Sequence, residues 1–527
     1  MIIMNNKNKR KDTYYYLLLI ISLAIFIRLL PLFILREPLS TDVWPLIRET
    51  NIIVSNSNVR IWNNSALGGY NNRIPGVLLF ASVVSKATGI SPFYVYSVIN
   101  SLIIGESMLL FYLFIKKLGG NGLISISFTF FSGPFLIFTS SLLKEVFAYP
   151  FFFAILLLSY FAKNIKDLIL ISLTSITLVI THPLPTIFLV STLLLIPILK
   201  FSIKYIYGNR KELLLKYRNN DKFLLITSLI LALSFLIYYI SYGVYGVKGY
   251  LVNSITPTFS FYIILIVFTY IFFMPKYHIY FKSYYYFLLI FLGLSILYIS
   301  TFNFIVLSNK KYDWQIALIG LPLILLIPLW TEFEFFKPKD HLVVSSLFLV
   351  FTSSFLYAII SNTALQLISY RFVNYIIIGG GIVSGLLFNT IPKRRSLIFS
   401  EIILSIITGI LTISIISTNL LYSLHWYLSS QWRYSYGFVN SAFTVYKLNT
   451  GNFPLYGDVK VAYLFNSLTN INMILSGNMH GLLILYKENF ELGFYTPINV
   501  YNLNILPINL NSDVVMRSPY IYVIYYR

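Results

Sequence analysis

Apolar residues dominate the chain in windows of about 20, each long enough to cross a ~30 Å hydrocarbon layer. These windows fall at 14–35, 93–115, 123–140, 146–162, 168–181, 184–203, 223–242, 255–274, 283–302, 315–330, 342–360, 372–391 and 396–420. They predict a polytopic α-helical membrane protein with about 13 transmembrane helices. The first outer loop, 36–92, is the longest, and its apolar stretch 75–90 is short and bounded by Arg73 and Lys86. Counting that stretch as a span would invert every later loop, so it is read as a helix lying in the outer interface. From about residue 421 the pattern changes. Turn signals ("NTGNFPLYGD", "LSGN", "PINVYNLN") alternate with short β-rich runs such as "DVKVAYLF" and "YIYVIYYR", which predicts a small extracytoplasmic C-terminal α/β domain. The expected organisation is a membrane domain, 1–420, followed by this domain, 421–527.

Charge orients the layout. With Lys7, Lys9, Arg10 and Lys11 inside, the inner tracts hold 22 Lys and Arg and the outer loops before residue 421 hold 10. The densest tract, 200–222, falls inside. The positive-inside rule therefore puts the N-terminus inside and the tail outside. Composition agrees: 57% hydrophobic, 11% charged, mean hydropathy +0.76, against about a quarter charged in soluble chains. The net charge of +21 lies in short topogenic tracts between apolar windows, so it argues for a multi-pass cell-membrane protein and against nucleic-acid binding. The absence of cysteine excludes disulfides and thiolate metal sites. The N-terminal apolar run is too long for a signal peptide and lacks a cleavage site, so it is read as a retained span.

Ionisable residues are rare, and several gather at the outer span ends. Asp42 and Glu49 lie in the first outer loop, Lys144 and Glu145 in "SSLLKEVFAYP", His182 in "THPLP" and Arg371 in "ISYRFVNY". Taken singly, each has a plain reading: a solvated acid, a polar hairpin tip, a helix end before proline, an interfacial snorkel. Together on one face they mark a candidate site. Arg28 and Glu106 lie deeper and are expected to form a structural pair between the first two spans. The triplet Asn63-Asn64-Ser65 is a sequon on the predicted outer side.

The stretch "TDVWPLIRE…IWNNSALGGYNNRIPGVLLFASVVSKATGIS" after a first span, with "SSLLKEVFAYPFFF", "THPLPT", "SYRFVNY" and "NTGNFPLYGDVKVAYLF", resembles the GT-C superfamily of membrane glycosyltransferases in its archaeal, dolichyl-phosphate-dependent branch. That resemblance implies an inverting transferase that takes sugar from a polyprenyl-phosphate donor on the outer face, with Asp42 as catalytic base. It also implies donor or acceptor contacts at Glu145, Lys144, His182, Arg371 and Glu49. The acceptor would be a hydroxyl of a lipid-linked glycan, a protein or a polymer. The tail has no "WWDYG"-like motif, so transfer of oligosaccharide to sequons is not expected. The first loop has no paired Asp-x-Asp, since Thr41 and Val43 flank Asp42; a divalent cation (Mg or Mn), if one is used, has Asp42 and Glu145 as candidate ligands. The alternatives are a transporter or flippase of lipid-linked sugars, which ordinarily carries its ionisable groups near the midplane, and a non-catalytic scaffold acting through the tail.

Overall fold

The computed structural model describes residues 2–56, 58–162, 164–207, 221–243, 369–390, 395–417, 434–449, 453–469, 480–486, 489, 494–495, 500–501 and 512–526, with isolated helical positions in 344–358. The expected spans 255–274, 283–302 and 315–330 lie outside the described residues, as do the inner tract 208–220 and residues 418–433.

Among the described residues, five helices are long and apolar enough to cross a membrane: Thr13–Leu35, Pro92–Lys117, Lys144–Phe161, Phe223–Gly243 and Arg371–Thr390. Helices also occupy the expected spans 168–181 (Ile165–Thr181), 184–203 (Pro183–Tyr207) and 396–420 (Arg395–Ser417). The expected span 123–140 is instead two helices, Gly122–Phe131 and Gly133–Ser140, bent by 70°. Pro134 in the first turn of the second helix supplies no N–H to carry on the first helix's ladder, and the backbone leaves the helical region at Ser132.

Helix starts are written locally. Asn164 and Asp167 exchange side-chain and backbone bonds in a capping box, and the Asn121 side chain accepts from Leu123 N. Close packing is written in small residues. A Cβ added at Gly381 would overlap Thr129, and one at Gly385 would overlap Ser125. The 371–390 helix therefore lies directly against the 122–131 helix, the small-residue contact that membrane helices favour.

Arg28 and Glu106 do not pair. Arg28 is buried and donates to Thr139 Oγ1 (2.9 Å) and to the carbonyls of Ala24 (3.0 Å) and Phe130 (2.8 Å), whereas Glu106 is exposed. Neighbouring carbonyls and a hydroxyl satisfy the guanidinium without a carboxylate.

At one end of the helices the first loop folds into helices α1 (Val43–Ser55), α2 (Asn64–Leu67) and α3 (Gly76–Thr88), with a 3-10 turn at Asn71–Arg73. The stretch expected at 75–90 is thus a helix, packed so tightly that a Cβ at Gly76 would meet Thr181. The tail contains helices α4 (Tyr436–Leu448) and α5 (Val459–Thr469). It also has strands β1 (Leu455–Tyr456), β2 (Gly481–Tyr486), β3 (Phe494–Tyr495), β4 (Val500–Tyr501), β5 (Ser512–Arg517) and β6 (Ile521–Tyr526). One sheet runs β1-β2-β6-β5, its first pair parallel and the others antiparallel; β3 and β4 form a second pair. The run "YIYVIYYR" is strand β6, as its composition predicts. "DVKVAYLF" is not a strand: it opens α5. Asp458 Oδ1 accepts from Val461 N (2.9 Å), which caps a helix start, and Val461, Leu464 and Phe465 form one buried helical stripe.

The first loop and the tail share one hydrophobic core. Val43, Trp44, Leu46 and Ile47 of α1 join Val77 and Leu78 of α3, then Tyr434, Phe438, Leu464 and Phe465 of the tail. The Trp44 ring stands edge-on to Tyr434, with centroids 5.7 Å apart. Arg48 of α1 donates to Asn466 Oδ1 of α5.

Candidate functional site

Five elements bring the sequence-predicted residues together at this end. Asp42 stands at the N-cap position of α1, yet its side chain makes no cap hydrogen bond; its backbone N donates to Ser40 Oγ (3.1 Å). The residue is exposed at its own atoms, while the protein around it disfavours charge and raises its carboxyl above the ordinary range. The positive charges of Arg371 and Lys144 act against that rise. Asp42 is thus exposed as a residue while the protein packed around it disfavours its charged form.

Lys144 and Glu145 open the 144–161 helix, where an acid in the first turn suits the helix dipole. They are not a solvated hairpin tip, for Glu145 is fully buried. Its Oε1 accepts from Tyr375 Oη (2.7 Å), and its Oε2 lies 3.8 Å from a guanidinium nitrogen of Arg371. Arg371 and Tyr375 are one turn apart on a single helix, so one element presents both partners to the carboxylate.

Glu49 is buried rather than solvated. Its Oε1 accepts from Asn71 Nδ2 (2.8 Å), and Asn71 Oδ1 accepts from Lys144 Nζ (2.8 Å). Burial raises the Glu49 carboxyl to about 7, against the Asn71 bond and the charges of Lys144 and Arg48. The Tyr70 ring lies 4.3 Å from the Lys144 ammonium. The turn carrying Asn71 is clamped from the 223–243 helix: Tyr238 and Tyr242 hydroxyls donate to the carbonyls of Arg73 (2.9 Å) and Asn72 (3.1 Å), and the Arg73 guanidinium stacks over Tyr242.

His182 is extended, as a residue before proline should be. Its Nδ1 accepts from Leu184 N (3.2 Å), which leaves the proton on Nε2 as a donor. Burial, then the charges of Arg371 and Lys144, hold its pKa well below the ordinary value, so the ring is neutral.

The sequence reading missed Tyr375 and Asn71 at the site, and it also passed over two buried polar residues, Glu37 and Asn374. Glu37 is buried, and burial raises its carboxyl to about 7. Tyr375 and Asn71 complete the networks above. Asn374, 1% exposed, has neither amide end hydrogen-bonded among the described residues. Acids directly after a first span are conspicuous, so Glu37 was findable; the neutral residues carry no such mark.

A divalent cation does not fit this donor set. No group of three His, Asp or Glu gathers among the described residues. Glu145 already spends one oxygen on Tyr375 and faces Arg371 with the other, and the positive charges beside Asp42 would repel a second cation. The arrangement suits an anion near Lys144 and Arg371, with an accessible base beside it.

No protein-family model matches the chain, and no curated protein does. Among solved structures, ArnT from Cupriavidus metallidurans, bound to undecaprenyl phosphate, aligns over 96% of this chain and 97% of its own, at 10% identity and a TM-score of 0.49.

Proposed function

We propose that the chain is a membrane glycosyltransferase that moves a sugar from a polyprenyl-phosphate donor to an acceptor hydroxyl. The observation that carries this reading is the uncapped, accessible carboxylate of Asp42 beside two cations that sit partly inside the protein. Asp42 takes the acceptor hydroxyl proton while the acceptor oxygen bonds to the anomeric carbon and the bond to phosphate breaks on the opposite face, inverting that carbon. The phosphate leaves on its lipid, its growing charge met by Lys144 and Arg371. Arg371 presents a planar fork of donors to phosphate oxygens, and its side chain is 18% exposed while its Glu145 partner is wholly buried. Glu145 and Tyr375 fix that fork in place. His182 offers its Nε2 proton to the donor or acceptor. The dolichyl form of the donor, the outer-face location and the extracytoplasmic tail belong to the same proposal and rest on the sequence resemblance and the charge pattern.

The transporter reading finds less support. Arg28, the deep basic residue, is satisfied by helix carbonyls and Thr139, and Glu106 is exposed, so these two residues make no ion pair at mid-depth.

The test is transfer of radiolabel from polyprenyl-phosphate sugars to endogenous acceptors, in membranes holding wild type or Asp42→Asn. Label should move with the wild type and not with the variant at equal insertion. Flux of lipid-linked sugar into proteoliposomes with no transfer from any donor would overturn the enzyme reading in favour of the transporter.

A further inference from the structure

The side-chain amide of Asn71 separates a buried acid from the cation assigned to phosphate. Its N–H donates to Glu49 and its oxygen accepts from Lys144, both at 2.8 Å. The orientation is unambiguous: turned over, the amide would set N–H against ammonium and C=O against carboxylate, two repulsions. A direct Glu49–Lys144 ion pair would hold the ammonium equally still but would neutralise it locally. The interposed amide directs one N–H of Lys144 and keeps the carboxylate from closing directly on the ammonium, whose charge still reaches Glu49, Asp42 and His182. The Tyr70 ring also packs on the ammonium, 4.3 Å from centroid to nitrogen, so two groups restrain the head. Asn71 itself is 8% exposed, and its turn is clamped by Tyr238 and Tyr242.

We propose that Asn71 is a positioning residue: its amide, held between Glu49 and Lys144, aims the Lys144 ammonium at the phosphate of a polyprenyl monophosphate. This rests on the glycosyltransferase reading for the identity of the anion. Asn71 touches no substrate and acts through Lys144.

The distinguishing experiment is a double-mutant cycle on binding of a polyprenyl monophosphate to the full chain in detergent, read by native mass spectrometry. Asn71→Ala should weaken binding about tenfold, the scale of one lost hydrogen bond to a charged group. Lys144→Met should weaken it at least as much, and the double variant should bind no worse than Lys144→Met alone. Circular dichroism and thermal unfolding of each variant separate misfolding from loss of aim, and Asn71→Gln, which keeps the amide, should recover part of the affinity. Unchanged affinity in a folded Asn71→Ala, or effects that simply add, would overturn the positioning role while leaving the function standing. Binding that is unchanged in Lys144→Met would likewise overturn the positioning role alone, whereas a wild type that binds no polyprenyl monophosphate would overturn both.

Discussion

Two aspartates in this molecule stand at the start of a helix and have opposite fates. Asp458 is fully buried and spends its carboxylate on structure. One oxygen accepts from Val461 N, and the other accepts from Tyr486 Oη (2.6 Å) and Asn489 Nδ2 (2.9 Å). Asp42 heads α1 from an equivalent position, caps nothing and stays accessible. A short acid before a helix is ordinarily a cap, so a carboxylate there that declines the backbone's donors remains available for another proton. The contrast separates acids that hold the fold from the acid that can serve chemistry, and burial alone would have ranked them in the reverse order.

The comparison breaks if the two substitutions behave alike. Asp42→Asn should reduce transfer by about 10²- to 10⁴-fold and leave thermal unfolding nearly unchanged. Transfer by the wild type should also fall as pH drops through a value above the ordinary carboxylate pKa, because the base form is required and the protein packed around Asp42 disfavours its charge and raises its carboxyl. A pH–rate profile whose acid limb sits at the ordinary value of 3.8 would remove that assignment.

Asp458→Ala should do the converse. It strands Val461 N, Tyr486 Oη and Asn489 Nδ2 in the tail core, at a cost of about 3 kcal/mol. Hydrogen exchange should show α5 and β2 opening early, and full protection in the variant would mean that the network contributes nothing.

A smaller effect is expected at Tyr375→Phe, which deprives Glu145 Oε1 of its donor and loosens the seat of Arg371. Transfer should fall about tenfold, the scale of one charge-assisted hydrogen bond, and more through KM for the donor lipid than through kcat. A change in kcat alone would detach Tyr375 from donor binding.

The subtlest test concerns Glu49. Burial raises its folded pKa from 4.5 to about 7, so the folded state holds this proton more tightly than the unfolded chain does. Its contribution to stability is therefore full below pH 4.5 and is lost as pH rises through about 7. Glu49→Gln cannot ionise, so it should gain on the wild type in thermal unfolding as pH rises across that window. A difference that is the same at every pH would show that Glu49 does not titrate there.

Much of the helical layout was legible because a span must be a long apolar run, and few other structures need one. The candidate acids and bases were legible for the complementary reason: in a chain 11% charged, Lys144, Glu145 and Arg371 stand out against their surroundings. Asn71 and Tyr375 did not, since Tyr occurs 43 times in the chain and no spacing distinguishes the one that meets Glu145. The 122–140 bend was hidden because hydropathy counts Gly133 and Pro134 without registering what they do to the backbone. The α5 segment misled for a local reason. Its β-branched valines alternate with polar residues, and only the Asp458 cap and the partner surface on α1 reveal that a helix buries them better.

The site draws on positions as far apart as Asp42, Tyr242, Arg371 and Tyr434, which bears on how the protein comes into being on the ribosome. When the first loop emerges, its Asp42-bearing helix has neither the guanidinium beside it nor the apolar tail surface that will cover Trp44. Both arrive hundreds of residues later. A chain whose synthesis stops early can seat its leading helices in a bilayer, but it carries no assembled candidate site.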